Sequence, residues 1–454
     1  MSVTIQQASK LVAGVACAGM LAVLVGCGGT PSASNGTSTQ SSGNIKTGAA
    51  AVRAAGKYTL EVTDLESETG RRKTLDEVNR AFERKYPNIT VHRIPKAYAD
   101  YLQSVKLTLQ GSNVPCVAMG DQGRDTDGPL VQAGLIRPLD AYTKAYHWPV
   151  FATSQWSDGG RTWGKGANYS VSPFFQVVGL FYNKALMRQL GIQPPRTFDE
   201  LVASLDAAKK AGITPLGLGN IDRFAATFHY ELLQNQLVDK QTILDFIFHL
   251  GTNPTFELPA DREAAQMLRE WAAKGYFTPG FDGVSPTDAV AQFATGKSLY
   301  YLSGQWDGPT VLSMGSNAGF MLPPGPTADA PAMATGGLGG PWHITSKCDK
   351  PDVAAAYLDF LIGPEAQRIV AASGDLPSRN DVSAPSNAAP VVKDFYTARD
   401  QLVKDGGVIP FEDVTNPGFG NAFDSALQEL MAQRISAKQF VDQVQASYSG
   451  YFGK

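Results

Sequence analysis

The chain reads as an α/β protein. An alternating strand, an amphipathic helix and a second alternating strand follow one another between Tyr58 and Ile94, and the same exchange of short apolar runs with helical periodicity continues to the C-terminal region. Composition agrees: 43% of the 454 residues are hydrophobic and 18% charged, a globular balance that excludes fibrous, collagen-like and wholly disordered chains. A formal charge of −3 lacks the basic excess with which proteins neutralise nucleic-acid phosphates, so no nucleic-acid partner is expected.

The N-terminal segment has a different character. Leu11 to Gly26 is an apolar run behind a single Lys10, too short to span a bilayer comfortably. It closes on Leu24-Val25-Gly26-Cys27, which resembles a bacterial lipobox. That resemblance implies removal of residues 1–26 as a lipoprotein signal peptide and lipidation of Cys27. Two or three acyl chains then hold the protein at the membrane on its extracytoplasmic face, each buried methylene contributing about 0.8 kcal/mol. Residues 27–56, rich in Gly, Ser, Thr and Ala, are expected to form a flexible leash. Cys17 leaves with the signal, so Cys116 and Cys348 remain in the body, where two buried free thiols are expected rather than a bridge.

Within the body, Tyr58–Thr63 alternates as a strand, Arg72–Tyr86 places Leu75, Val78, Ala81 and Phe82 on one helical face, and Ile89–Ile94 alternates again after Pro87. Such a β-α-β unit requires a parallel pair. Helices are predicted over 98–111 and 128–133, with a buried strand over 114–119. Gly179–Tyr182 reads as a strand, Asn183–Leu190 as a helix stopped at Gly191, and Thr197 as the cap of helix 198–210, with Glu200 placed for a capping box. A strand over 215–219 and helices over 264–273, 352–361, 422–432 and 437–448 complete the series.

Motifs for catalysis and metal binding fail on spacing. Gly296-Lys297-Ser298 lacks the glycine that a phosphate-binding loop needs, since Ala291 stands there. The glycine run 336–340 leads into an extended segment and not a helix N-terminus. The five histidines have no ligand spacing, and Asp125-Thr126-Asp127-Gly128 would put glycines at both ends of a calcium loop. No catalytic residue, metal or cofactor is expected.

Four segments, in order and spacing, resemble the extracellular solute-binding proteins of ABC importers, in the carbohydrate-binding family that includes maltose-type receptors. They are Tyr98-Ala99-Asp100-Tyr101 through Gly134-Leu135-Ile136-Arg137-Pro138-Leu139; Leu180-Phe181-Tyr182-Asn183-Lys184 through Gly212-Ile213-Thr214-Pro215-Leu216; Phe293-Ala294-Thr295-Gly296-Lys297 leading to Gly304-Gln305-Trp306; and Leu322-Pro323-Pro324-Gly325 through Pro364-Glu365-Ala366-Gln367 to Leu376-Pro377-Ser378-Arg379. Cys116 stands where that family has Asp in Pro-Asp-Val. The resemblance implies a two-lobed periplasmic-binding-protein-like fold with three crossovers, residues 57–175 and 322–346 forming the first lobe and 177–318 and 350–454 the second. It also implies a monomer that delivers a carbohydrate ligand to ABC permease subunits, and no enzyme.

Sugar recognition needs flat aromatic faces for the C–H faces of a pyranose, and amides or carboxylates for hydroxyls that would otherwise be buried unpaired. Trp306 sits in the family's Gly-x-Trp position and Trp342 where the chain re-enters the hinge. Asp121 and Gln122 follow a strand, at the edge where open α/β sheets bind ligands. Gln176 matches the crossover position where maltose-type receptors carry a carboxylate. Asp222 and Phe224 follow the 215–219 strand, Glu66 follows the first strand, and Asn421 opens a late helix. Trp271 is expected in the core. Two alternatives differ in their demands: a glycerophosphodiester receptor would use Arg124 or Arg223 on phosphate, and a surface glycoside hydrolase would need two converging carboxylates.

Overall fold

The computed structural model describes residues 45–67 and 70–453; Cys27 and the lipobox lie outside them. Among the described residues no helix is long and apolar enough to cross a membrane.

Among the described residues thirteen strands are found: β1 (Tyr58–Asp64), β2 (Ile89–Pro95), β3 (Val117–Met119), β4 (Gln155–Ser157), β5 (Thr162–Trp163), β6 (Ala167–Asn168), β7 (Phe174–Asn183), β8 (Thr214–Gly217), β9 (Ser298–Gly304), β10 (Ala318–Met321), β11 (Ala334–Gly339), β12 (Trp342–Ile344) and β13 (Val408–Ile409). The first sheet has the order β12-β3-β1-β2, with β1 parallel to both β2 and β3 and β12 antiparallel to β3. The predicted β-α-β unit is present, with helix Gly70–Lys85 as its crossover. The second sheet runs β13-β11-β7-β9-β8, with β10 also on β7. It is mixed, because β7 is antiparallel to β9, β10 and β11. A third, three-stranded sheet of β4, β5 and β6 carries Trp156 and Trp163 stacked at 5.9 Å.

Pairing directions orient the two main sheets. In the second, β8 is parallel to β9 and β13 to β11, so the C-terminal ends of β8, β9, β11 and β13 share the edge where β7 begins. In the first, Trp342 opens β12 opposite Met119, which closes β3. The crossovers at Pro173–Phe174 and Gly340–Pro341 therefore join the C-terminal edge of one sheet to that of the other. A third crossover lies beside them, where Phe175 N–H donates to Leu376 O and Ser378 N–H to Pro173 O, both at 3.0 Å. In a two-lobed α/β protein this is the edge available to ligands.

Several elements differ from the expectations. Residues 48–55 are not part of a leash: Gly48–Ala55 is a helix with Ala51 and Val52 buried, and Asn88 Nδ2 donates to Val52 O at 2.9 Å. Alanine-rich segments have high helix propensity, and tertiary packing supplied what composition did not show. Lobe membership also shifts. Ala334–Gly339 pairs with the second sheet, and helix Pro351–Leu361 packs through Val353, Tyr357 and Leu361 into the core of the first. Cys116 and Cys348 are disulfide-bonded across 232 residues, correcting the expectation of free thiols. They flank β3 and β12, which pair as neighbours, so the sheet itself brings them together. The family's Asp is thus replaced here by half of a covalent tie. Thr197 caps Phe198–Lys210 through Glu200 N–H, but Glu200 Oε2 accepts from Arg196 N–H and not from the cap residue itself.

Candidate ligand-binding cleft

On the first lobe, three loops reach the C-terminal strand edge. After β1, Glu66 is buried and accepts from Arg71 Nη1 at 3.3 Å; burial raises its carboxyl despite that partner. After β2, Tyr98 opens helix Tyr98–Gln110 with half its surface exposed, and its hydroxyl donates to Asp121 Oδ2 at 2.7 Å. After β3 come Asp121, pushed up to about 6 by burial, and Gln122, buried with Oε1 unpartnered. Gly120 is required before them, because a Cβ there would overlap Asp127 and His343, which meet at 3.0 Å.

On the second lobe, Trp306 follows β9 and is partly exposed. Its ring folds back over Gly304, where a Cβ would overlap it, so the glycine of Gly-x-Trp has a steric reason. Trp306 lies 6.1 Å from Phe228 and 6.4 Å from Phe411, and Phe224 lies 6.0 Å from Phe228, giving an aromatic wall. Beyond Phe411, Asp413 has Oδ1 unpartnered; burial raises its carboxyl, reinforced by Asp424, Glu231, Asp121 and Asp125. Asp413 is thus close enough to Asp121 on the other lobe for the charge of one to oppose ionisation of the other.

Gln305 links the lobes through the crossovers. Its Oε1 accepts from Val177 N–H at 2.9 Å and its Nε2 donates to Phe175 O and Asp375 Oδ1. Asp375 in turn accepts from Arg71 Nε at 2.5 Å, and Arg71 reaches Glu66. A continuous line of polar contacts therefore runs from the first-lobe loop to the residue beside Trp306.

The structure divides the nominated residues. Glu66, Asp121, Trp306 and Phe224 stand at the facing loops, and Gln176 is half-buried with its side chain against Gly339 on the crossover. Trp342 does not face a cleft: it is fully buried in the first-lobe core, edge-on to Tyr357 at 6.4 Å. Asp222 and Asn421 are exposed. A cavity of about 890 Å³ lies beside the crossovers, lined by Trp148, Phe151, Phe175, Phe248 and Leu338, and Gln122 alone of the nominated set borders it. Successive strand residues point to opposite faces, so Phe175 and Gln176 look away from each other. Trp271 is in the core as expected, and Trp148, Trp156 and Trp163 are buried. Arg124 is engaged by backbone carbonyls and is not free for the phosphate of the alternative reading, whereas Arg223 is exposed and donates from Nη1 to Ser425 Oγ at 2.8 Å.

Tyr98, Phe411, Asp413 and the Arg71–Asp375–Gln305 line are not identified by sequence reasoning. Tyr98 lies in a segment the resemblance already contains. The other signal is the short run Val408-Ile409 ahead of Pro410, which reads as a strand only once its partner β11 is known.

Two α/β lobes with facing C-terminal strand edges and three crossovers define a hinged binding protein. The bacterial extracellular solute-binding protein model matches residues 66–368, and the chain belongs to that family. An ABC transporter extracellular-binding protein of Pyrococcus horikoshii is 23% identical over 342 residues, covering 72% of this chain and 73% of that protein. A multiple sugar-binding protein of Streptococcus mutans is 25% identical over 146 residues, 32% of this chain and 34% of its own. Among solved structures, a chitin oligosaccharide binding protein superposes with a TM-score of 0.74 at 19% identity, over 87% of this chain and 99% of that one.

Proposed function

We propose that this protein is the lipid-anchored, extracytoplasmic receptor of an ABC importer, that its ligand is a sugar or oligosaccharide, and that it performs no chemistry on it. The observation that carries the sugar reading is the pairing of an aromatic cluster on the second lobe (Trp306, Phe411, Phe228) with hydrogen-bonding groups on the loops of the first (Tyr98, Asp121, Glu66). Stacked C–H faces and satisfied hydroxyls need that pairing of groups. The carboxyls of Asp121, Asp413 and Glu66 on these loops suit neutral polyols better than phosphates. The sugar-binding relatives support the same class of ligand. Anchoring rests on the Leu24-Val25-Gly26-Cys27 pattern.

Function follows from differential affinity: a ligand that contacts both lobes binds the closed form more tightly and shifts the population towards it. A thermal-shift screen of mono- and oligosaccharides tests the reading. A cognate sugar at a hundred times its Kd adds about 2.7 kcal/mol of stability and is recovered unaltered. No shift across a broad carbohydrate panel, with a shift for another solute class, overturns it. Mass analysis of the membrane-extracted protein tests the anchor: acyl groups are expected on Cys27, and an unmodified Cys27 overturns it.

A further inference from the structure

Residues 123–125 leave the first lobe immediately after Asp121 and Gln122 and are bound by the second. Arg124 N–H donates to Val414 O at 3.0 Å. Its guanidinium donates from Nη1 to Ile247 O at 2.8 Å and Thr415 O at 3.0 Å, and from Nη2 to Phe248 O at 2.7 Å. Ile247 and Phe248 end the helix Lys240–Phe248, whose last carbonyls lack intrahelical donors and carry the negative end of its dipole. The next side chain does the reverse. Asp125 Oδ1 accepts at 3.2 Å from Gly418 N–H, at the positive end of the helix Phe419–Met431. Consecutive residues of one lobe thus address oppositely polarised helix ends of the other.

The approach is close. Gly123 has φ +92, and a Cβ there would lie 2.5 Å from Val414, so only glycine allows the contact. The Arg124 guanidinium lies 5.1 Å from the Phe452 ring and 5.7 Å from that of Trp163, which itself meets Phe248 across the lobes at 4.6 Å. Its acceptors are all neutral carbonyls, for which water can substitute when the lobes part. The geometry is therefore that of a contact which is specific and also releasable.

We infer that Gly123-Arg124-Asp125 is an interlobe clamp that stabilises the closed arrangement, and that Arg124 is a positioning residue which sets ligand affinity without touching the ligand. The affinity half rests on the receptor reading above; the clamp half does not, and it is tested without ligand. Hydrogen exchange is followed by mass spectrometry on the whole chain, for the parent, Arg124→Lys and Arg124→Ala. Lysine keeps the charge but not the fork that reaches three carbonyls. The clamp requires exchange over residues 411–420 to accelerate about tenfold or more in both variants while strand peptides 58–64 and 177–183 are unchanged. The affinity role requires Kd for a sugar found by the screen to rise about tenfold, carried by a faster off-rate. Unchanged exchange over 411–420, equal acceleration in the strands, or variants that do not fold would each place Arg124 in the fold and overturn the clamp. Accelerated exchange with an unaltered Kd overturns the affinity role alone.

Discussion

Removing the Cys116–Cys348 bridge offers a quantitative test of how the first lobe is held together. The bond closes a loop of 232 residues. Chain entropy at that length assigns it about 5 kcal/mol, because the cross-link restricts the unfolded chain far more than the folded one. Cys116→Ala combined with Cys348→Ala leaves two small side chains at buried sites, so little new strain arises. With an unfolding entropy of about 2.1 cal/mol/K per residue over roughly 400 residues, that loss lowers Tm by about 6 °C if the body melts as one unit. A fall about twice as large means that the first lobe melts alone. Scanning calorimetry reads the shift, and peptide mapping of the denatured, unreduced parent confirms that neither cysteine is free. Sugar affinity stays within about twofold, since both residues sit in the first-lobe core and not at the facing loops. A Tm change under about 1 °C with the bridge intact in the parent refutes the reasoning.

Further expectations follow from the cleft and from the buried charges. Trp306→Ala removes one face of the aromatic wall; losing about 2 kcal/mol of apolar contact weakens sugar binding about 30-fold by calorimetry, with Tm little changed. Gln305→Leu leaves Val177 N–H, Phe175 O and Asp375 without that partner, lowering stability by about 3 kcal/mol or more in urea unfolding. Burial pushes Asp121, Asp307 and Asp424 up to about 6 and Glu231 to about 7. The folded state therefore holds more protons than the unfolded one between about pH 4 and 7, and stability falls as pH rises through that window. Melting curves from pH 5 to 8 should show Tm highest at the acidic end; a rising Tm contradicts the burial of these carboxyls.

Local features of the sequence determined most elements. The helix cap at Thr197, the stop at Gly191, and the alternation in Tyr58–Asp64 and Ile89–Pro95 depend on neighbours a few residues away, and each is found where those neighbours place it. Features decided by contacts distant in sequence needed the tertiary structure. Gly48–Ala55 has a composition that suits a leash, and its alanines settle as a helix where Val52 packs into the core that the helix Pro351–Leu361 also lines. Cys116 and Cys348 become partners only when β12 lies against β3.

The cleft divides along the same line. Trp306, Asp121 and Glu66 are legible because each follows a strand, and strand ends are where such sheets expose their loops. Trp342 has the same local appearance, and is core because its strand is covered by the helix that carries Tyr357. Phe411 lies more than a hundred residues from Trp306 and Phe228, and the carbonyls that receive Arg124 belong to the other lobe. The class of fold, the family resemblance and the sheet edge nominated for ligand were readable in the amino-acid sequence. Tertiary structure decided which side chains meet across that edge, because facing loops from two lobes share no local pattern.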